Sequence, residues 1–187
     1  MRIGIDCDGV LRDFIPALID SIKESHPEHA DKILKPNDWE WESWLPFWTE
    51  DETEKYVFED NYLDFFGAVC PPIKESVEDW KTLKRWAEDN GHELVLVSAQ
   101  RPHCEEPTME WLQRWGIMFD EYNFTKEKWS IDVDVLVDDS PEKLDIFDKR
   151  SVAYGRPICM KQTWNTESQK KYMTIDRLSD LVGRLFG

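Results

Sequence analysis

Apolar residues along the chain gather into four short runs, separated by longer stretches where they recur every three or four positions. The runs lie at 3–5, 93–97, 133–137 and 151–154, the last with an extension through 158–160, and they predict strands. Between them, Val77, Trp80, Leu83 and Ala87 fall at helical spacing within 77–88, with Asn90-Gly91 as a stop signal. A second helix is predicted from about Thr108 through Trp111, Leu112 and Trp115 to Gly116. A third follows Ser140-Pro141, with proline in its first turn and Leu144 and Phe147 facing one way. A fourth closes the chain over 175–186. Strands alternating with helices imply right-handed crossovers, and hence an α/β, Rossmann-like, mostly parallel sheet with helices on both faces. In such sheets ligands bind beyond the carboxyl ends of the strands.

Residues 15–72 break this rhythm. Trp39, Trp41, Trp44, Phe47, Trp48, Tyr56, Phe58, Tyr62, Phe65 and Phe66 are interleaved there with acids, and no alternating strand is evident. The segment reads as a small helical cap inserted after the first strand and lying over the sheet's edge. The expected organisation is a core formed by 1–14 and 73–187, with 15–72 as the insertion. Most of the cap aromatics should be its own core, because a small lobe has few other ways to bury surface. Two or three of them should face a ligand.

Composition narrows the functional classes. With 187 residues, 41% of them hydrophobic, the chain can form one well-packed core. A formal net charge of -16 argues against a general nucleic-acid surface, which would reward Lys and Arg. Cys7, Cys70, Cys104 and Cys159 form no C-x-x-C pair, so reduced thiols fit better than a zinc ribbon or a redox motif. No apolar run approaches a membrane span, and a strand beginning at Arg2 or Ile3 leaves no room for a signal peptide. A cytoplasmic protein is expected, with a small phosphorylated ligand as its partner. Neither membrane nor polymeric nucleic acid is expected, and a second copy of the chain is the only protein partner in view.

The chemistry is carried by polar residues at strand ends. IDCDGV places Asp6 and Asp8 after the first strand, Ser98 follows ELVLV, Lys128 lies in FTKEKW, and VDVLVDDS ends in Asp138 and Asp139. Four carboxylates cannot share a pocket while ionised unless a cation neutralises them. Oxygen donors without a His or Cys cluster point to Mg²⁺. One carboxylate can then attack phosphorus while a second moves the proton of the leaving oxygen. Ser98 and Lys128 can hold phosphate oxygens, and Gly9 allows close approach of the backbone. Cys7, between the two acids, should point into the core.

These motifs resemble the four-motif signature of the haloacid dehalogenase superfamily of phosphohydrolases. DCDGVLRDF, FFGAVCPPIKESVEDW and FTKEKW before LVDDSPEKL are similar, more narrowly, to the 5′(3′)-deoxyribonucleotidase family. The resemblance implies Asp6 as nucleophile and Asp8 as acid/base, with Asp6, the Asp8 carbonyl and Asp139 on Mg²⁺ and Asp138 acting through water or as an outer partner. It also implies an aromatic at Phe14 in the nucleoside pocket, and a small residue where this chain has Arg12. The implied activity is Mg²⁺-dependent hydrolysis of nucleoside monophosphates, deoxyribonucleotides foremost, through an aspartyl-phosphate.

Several assignments stay open on sequence alone. Lys126 competes with Lys128, although spacing to Asp139 favours the latter. Trp44, Phe47 and Trp48 could stack on a base, Arg101 and His103 could reach the ligand from the loop after Ser98, and Asp13 could cap the outgoing helix or orient Arg12. TWNTE, around Trp164 and Asn165, suggests no mechanism. The substrate could instead be another small phosphorylated metabolite or a nucleic-acid end, and a non-catalytic phosphate-binding module is the reading from outside enzymology.

Overall fold

The computed structural model describes residues 1–68 and 70–185. Six parallel strands form one sheet in the order β3-β2-β1-β4-β5-β6. They are β1 (Arg2–Ile5), β2 (Glu93–Ser98), β3 (Glu121–Phe124), β4 (Val135–Asp138), β5 (Arg156–Met160) and β6 (Met173–Ile175). Ile5 of β1 sits in register with Leu96 of β2 on one side and Val137 of β4 on the other. The chain moves outward to β2 and β3 and then returns to the far side of β1. A crevice therefore opens beyond the carboxyl ends of β1 and β4, where the winding direction reverses.

Side-chain alternation along the strands divides the core. Ile3, Ile5, Leu94, Leu96, Val135 and Val137 pack on one face against Trp80, Leu83 and Ala87 of α4 (Ser76–Asp89) and Trp111 and Leu112 of α5 (Pro102–Arg114). Val95, Val97, Val133 and Leu136 pack on the other against Phe147 of α6 (Pro141–Arg150). Helices therefore cover both faces, as the alternation of elements predicts. After α4, Gly91 takes a φ of 65° and the His92 N–H bonds back to the Ala87 carbonyl, which confirms the Asn90-Gly91 stop.

Three differences from the sequence reading have local causes. Residues 151–154 form a turn instead of a strand: Tyr154 has a φ of 53° and is 96% exposed, and the strand proper begins at Arg156. β3 and β6 are edge strands too short and too polar to stand out as apolar runs. The predicted C-terminal helix gives its first residue to β6 and is helical over α8 (Asp180–Arg184); its predicted end at Phe186 lies outside the described residues.

Between β1 and α4 the described chain is helical and irregular, with α1 (Phe14–Ser25), α2 (Trp41–Trp44), α3 (Glu50–Lys55) and two π-type turns at Tyr56–Asp60 and Asp64–Ala68. Thr49 opens α3 with a reciprocal capping box to Glu52. This lobe has its own apolar cluster, in which Phe14, Leu18, Ile22, Trp44, Val57, Phe65 and Phe66 close on Cys104 of α5. It faces the carboxyl ends of the central strands, and a cavity of about 290 Å³ lies between.

Candidate active site

Asp6 leaves β1 with its N–H bonded to the Val137 carbonyl at 3.0 Å, which fixes its carboxylate above the β1–β4 crevice. Ser98 is the last residue of β2, and Asp138 the last of β4. Lys128 opens the 3₁₀ turn Lys128–Ser130 that precedes β4. All four are buried, and the Lys128 Nζ lies 2.8 Å from the Asp6 Oδ2 and 2.6 Å from the Asp138 Oδ2. Lys126 reaches the same cavity, but the ammonium between these two carboxylates belongs to Lys128.

Asp138 and Asp139 divide in function by their partners. Asp138 spends both oxygens on protein donors, one on Lys128 and the other on the Ser140 N–H at 2.8 Å. Asp139 receives the Trp164 indole N–H on Oδ2 at 2.9 Å, while its Oδ1 is buried without a hydrogen-bond partner, as is the Oδ1 of Asp6. One oxygen each from Asp6, Asp138 and Asp139 lies within 4.8 Å of the others. Burial first, and then the neighbouring Asp138 and Asp6 charges, push the Asp139 carboxyl well above its ordinary range. Burial likewise raises Asp138 against the opposing pull of Lys128. Buried carboxylate oxygens of Asp6 and Asp139 left without donors, beside a third buried carboxylate, fit a hard divalent cation.

Gly9 is required here for a geometric reason. Its φ is 75°, and a Cβ at this position would collide with the Asp139 carboxylate. The Gly9 carbonyl is in turn held by the Gln162 side-chain N–H₂ at 2.8 Å.

Asp8 sits two residues beyond Asp6 on the same side of the chain. The Gln100 amide donates to its Oδ2 at 2.9 Å, and the Arg12 Nε lies 3.3 Å from its Oδ1. Burial, with the Asp6 charge behind it, raises Asp8 despite the Arg12 guanidinium. Cys7 turns the other way into the core, as alternation requires, and burial pushes its thiol up to about 12.

The cavity is walled by Asp6, Asp8, Gly9, Ser98, Gln100, Lys128 and Asp139 below, and by Phe14, Trp39, Trp41, Trp44, Phe58 and Phe66 from the lobe. Phe14 and Trp44 thus stand where the sequence places them. Phe47 and Trp48 do not line the cavity: Phe47 stacks on His29 with centroids 4.3 Å apart, and Trp48 packs against Tyr56 and His26 within the lobe. Arg101 reaches the wall, but its guanidinium is committed to Glu54 at 2.7 Å and to the face of Phe58. His103 belongs to the first turn of α5 and contacts the lobe through the Phe58 carbonyl. Among the described residues Asp13 makes no side-chain cap to α1, and the Arg12 guanidinium bonds to Phe65, Cys7 and Thr108 instead, so neither expected role is realised.

The segment without a mechanism proves to be scaffolding for the acidic cluster. Besides the Trp164 bond, the Asn165 amide ties the Asp139 carbonyl to the Met160 carbonyl, each at 2.8 Å. An indole and an amide placed just past a strand-end position were the available signal. Gln100, two residues after Ser98, was missed for want of any motif.

A family model described as 5′ nucleotidase, deoxy (pyrimidine), cytosolic type C protein (NT5C) matches residues 1–180. An Acanthamoeba polyphaga mimivirus protein provisionally named as a 5′(3′)-deoxyribonucleotidase is 28% identical over 151 residues, covering 76% of this chain and 64% of its own length. The chain thus spans under two thirds of that relative. A Chlorobaculum tepidum protein with the same provisional name is 22% identical over 148 residues, covering 76% of this chain and 71% of its own. Among solved structures, L-2-haloacid dehalogenase from Xanthobacter autotrophicus superposes with a TM-score of 0.57 at 10% identity, covering 100% of this chain and 98% of its own. D,D-heptose 1,7-bisphosphate phosphatase from Burkholderia thailandensis does so at 0.51 and 10%, covering 100% and 98%. At such identities these structures establish the shared α/β fold.

Proposed function

The chain belongs to the 5′ nucleotidase, deoxy (pyrimidine), cytosolic type C family, a branch of the haloacid dehalogenase-like hydrolases, and from that premise we propose that it is a phosphomonoesterase acting on nucleoside monophosphates, deoxyribonucleotides foremost. The observation that carries this reading is the meeting of Asp6, Asp8, Ser98 and Lys128 with an acidic cluster in one aromatic-roofed cavity.

The donor set fits Mg²⁺, which Asp6, the Asp8 carbonyl and Asp139 would hold, with Asp138 acting through water or as an outer partner. When bound, the ion offsets the carboxylate charge and the charge of the phosphoryl group. Lys128 and Ser98 orient the phosphoryl oxygens, with the ammonium already anchored between Asp6 and Asp138. The Asp6 carboxylate attacks phosphorus in line with the ester oxygen. The new bond joins an Asp6 oxygen to phosphorus, and the bond that breaks joins phosphorus to the nucleoside oxygen. Asp8, whose proton affinity burial raises above that of an ordinary carboxylate, gives its proton to the departing oxygen. The resulting Asp8 carboxylate then takes a proton from water as that water attacks the aspartyl-phosphate, releasing inorganic phosphate and restoring both acids. Phe14, Trp39, Trp41 and Trp44 offer rings to a base and exclude solvent.

The test joins Asp6→Asn to a panel of deoxynucleotides, ribonucleotides and sugar phosphates. Loss of turnover in Asp6→Asn with an unchanged melting curve supports the mechanism, and full activity would overturn it. Comparable wild-type rates on sugar phosphates and nucleotides would overturn the nucleotide assignment while leaving the phosphatase chemistry in place.

A further inference from the structure

Arg12 is fully buried beside the site, where the family resemblance implies a small residue. A guanidinium withdrawn completely from water is costly without partners, so its contacts are informative. One terminal nitrogen donates to the Phe65 carbonyl at 3.2 Å, and the other donates to the Thr108 hydroxyl at 2.9 Å and lies 3.1 Å from the Cys7 Sγ. The plane is held near the rings of Trp111 at 4.8 Å and Phe66 at 5.3 Å. Its Nε faces Asp8 at 3.3 Å.

The Thr108 hydroxyl passes the polarity onward. It accepts from Arg12 and donates to the Gln100 Oε1 at 2.6 Å, and the Gln100 amide donates to Asp8 at 2.9 Å. Three hydrogen bonds, from Arg12 to Thr108, from Thr108 to Gln100 and from Gln100 to Asp8, and the Arg12–Asp8 ion pair therefore link the four residues in a ring. The ring fixes the Gln100 amide, since reversing it would set its N–H₂ against the Thr108 hydroxyl proton. It also orients the Asp8 carboxyl, with Oδ2 hydrogen-bonded by Gln100 and Oδ1 turned toward the Arg12 charge.

We propose that Arg12, Thr108 and Gln100 form a positioning relay that aligns the Asp8 carboxyl with the leaving oxygen of the substrate. The inference rests on the acid role given to Asp8 above. Thr108 touches neither the cavity nor the acidic cluster; it acts through Gln100. An acid held in line matters only where the leaving oxygen needs a proton. The deoxynucleoside oxygen is a poor leaving group, whereas 2,4-dinitrophenolate departs unaided.

The experiment measures first-turnover release of the leaving group from a deoxynucleoside monophosphate and from 2,4-dinitrophenyl phosphate, in wild type, Thr108→Val, Thr108→Ser and Asp8→Asn. General acid catalysis contributes about 10²- to 10⁴-fold, and misalignment should forfeit part of it. Thr108→Val should slow deoxynucleoside release roughly ten- to a hundredfold while leaving the dinitrophenolate burst nearly unchanged, and Thr108→Ser should restore the former. Gln100→Leu, which cuts the last link without opening the Arg12 site, carries the same test should Thr108→Val fail to fold. Equal slowing of both substrates, or of neither, in these variants would overturn the relay while a split in Asp8→Asn upholds the acid role. Absence of the split in Asp8→Asn itself would overturn the acid role and the relay together.

Discussion

The floor and the roof of the cavity are built on different principles. The floor is set by backbone: Asp6, Ser98 and Asp138 sit at the ends of three adjacent parallel strands, so pairing register alone brings them together. The roof is set by side-chain packing, and of two aromatics close together in sequence Trp44 lines the cavity whereas Phe47 stacks on His29 instead. A backbone-defined floor suits chemistry that tolerates little displacement. A packing-defined roof can be remodelled without disturbing it, which is where substrate choice belongs.

The sharpest way to break this contrast is at the floor. Asp6→Asn should lower turnover by about four orders of magnitude or more, because an amide oxygen is a poor nucleophile and the step has no substitute. Thermal melting should change little, and residual turnover within about tenfold of wild type would place the nucleophile elsewhere. Gly9→Ala comes next. Ala at a φ of 75° carries strain of roughly 1–2 kcal/mol, and its methyl group would displace the Asp139 carboxylate. Expected are a loss of activity of about a hundredfold and a weaker Mg²⁺ response in a titration followed by melting temperature. A Mg²⁺ response equal to wild type would remove Asp139 from the metal site.

The same contrast explains what was legible in the sequence. A strand that ends in Asp or Ser announces both its element and its place in the site, so Asp6, Ser98 and the Asp138-Asp139 pair could be read from pattern. Asp139 over Asp138 rested on the resemblance, and the unpartnered Asp139 Oδ1 gives that choice a physical basis. The roof could be read only as aromatic and helical. Whether a ring faces the cavity depends on how α1, α2 and the π-type turns cross, and no periodicity in 15–72 encodes that crossing. Trp164, Asn165 and Gln100 were illegible for another reason: each acts through side-chain hydrogen bonds to residues distant in sequence. β3 and β6 escaped because edge strands lack the apolar continuity of central ones.

Two rings test the roof directly. Trp39 lines the cavity, is 42% exposed and rests against Trp164, so Trp39→Ala should raise KM about tenfold with little change in kcat or melting temperature. Phe47→Ala should do the reverse, lowering stability by roughly 1–2 kcal/mol through the lost His29 and Trp48 contacts while leaving KM unchanged. If both variants shift KM, or neither does, the division between facing and packing rings fails.

The smallest effect is thermodynamic and belongs to the floor alone. Asp138 and Asp139 bind protons more tightly in the folded chain than an ordinary carboxylate, chiefly because burial penalises their charged forms. As pH rises above about 4, the unfolded chain releases those protons first, so the folded state binds more of them and metal-free stability falls with pH. Carboxylates held low by partners, such as Asp120 and Asp145, act in the opposite sense, but their contribution changes only below the ordinary carboxylate range. Between pH 5 and 8 the raised carboxyls, this pair with Asp8, should therefore set the slope. Mg²⁺ held at Asp139, with Asp138 beside it, would favour the deprotonated pair and should offset the penalty most where that penalty is largest, so its stabilising shift should grow from pH 5 to pH 8. Since 1 kcal/mol moves the melting temperature of a domain this size by about 2–4 °C, the difference is within reach of a melting series with and without Mg²⁺. Equal Mg²⁺ shifts at both pH values would mean that the floor carboxylates are already ionised and balanced by Lys128, and the case for a cation from their burial would fall.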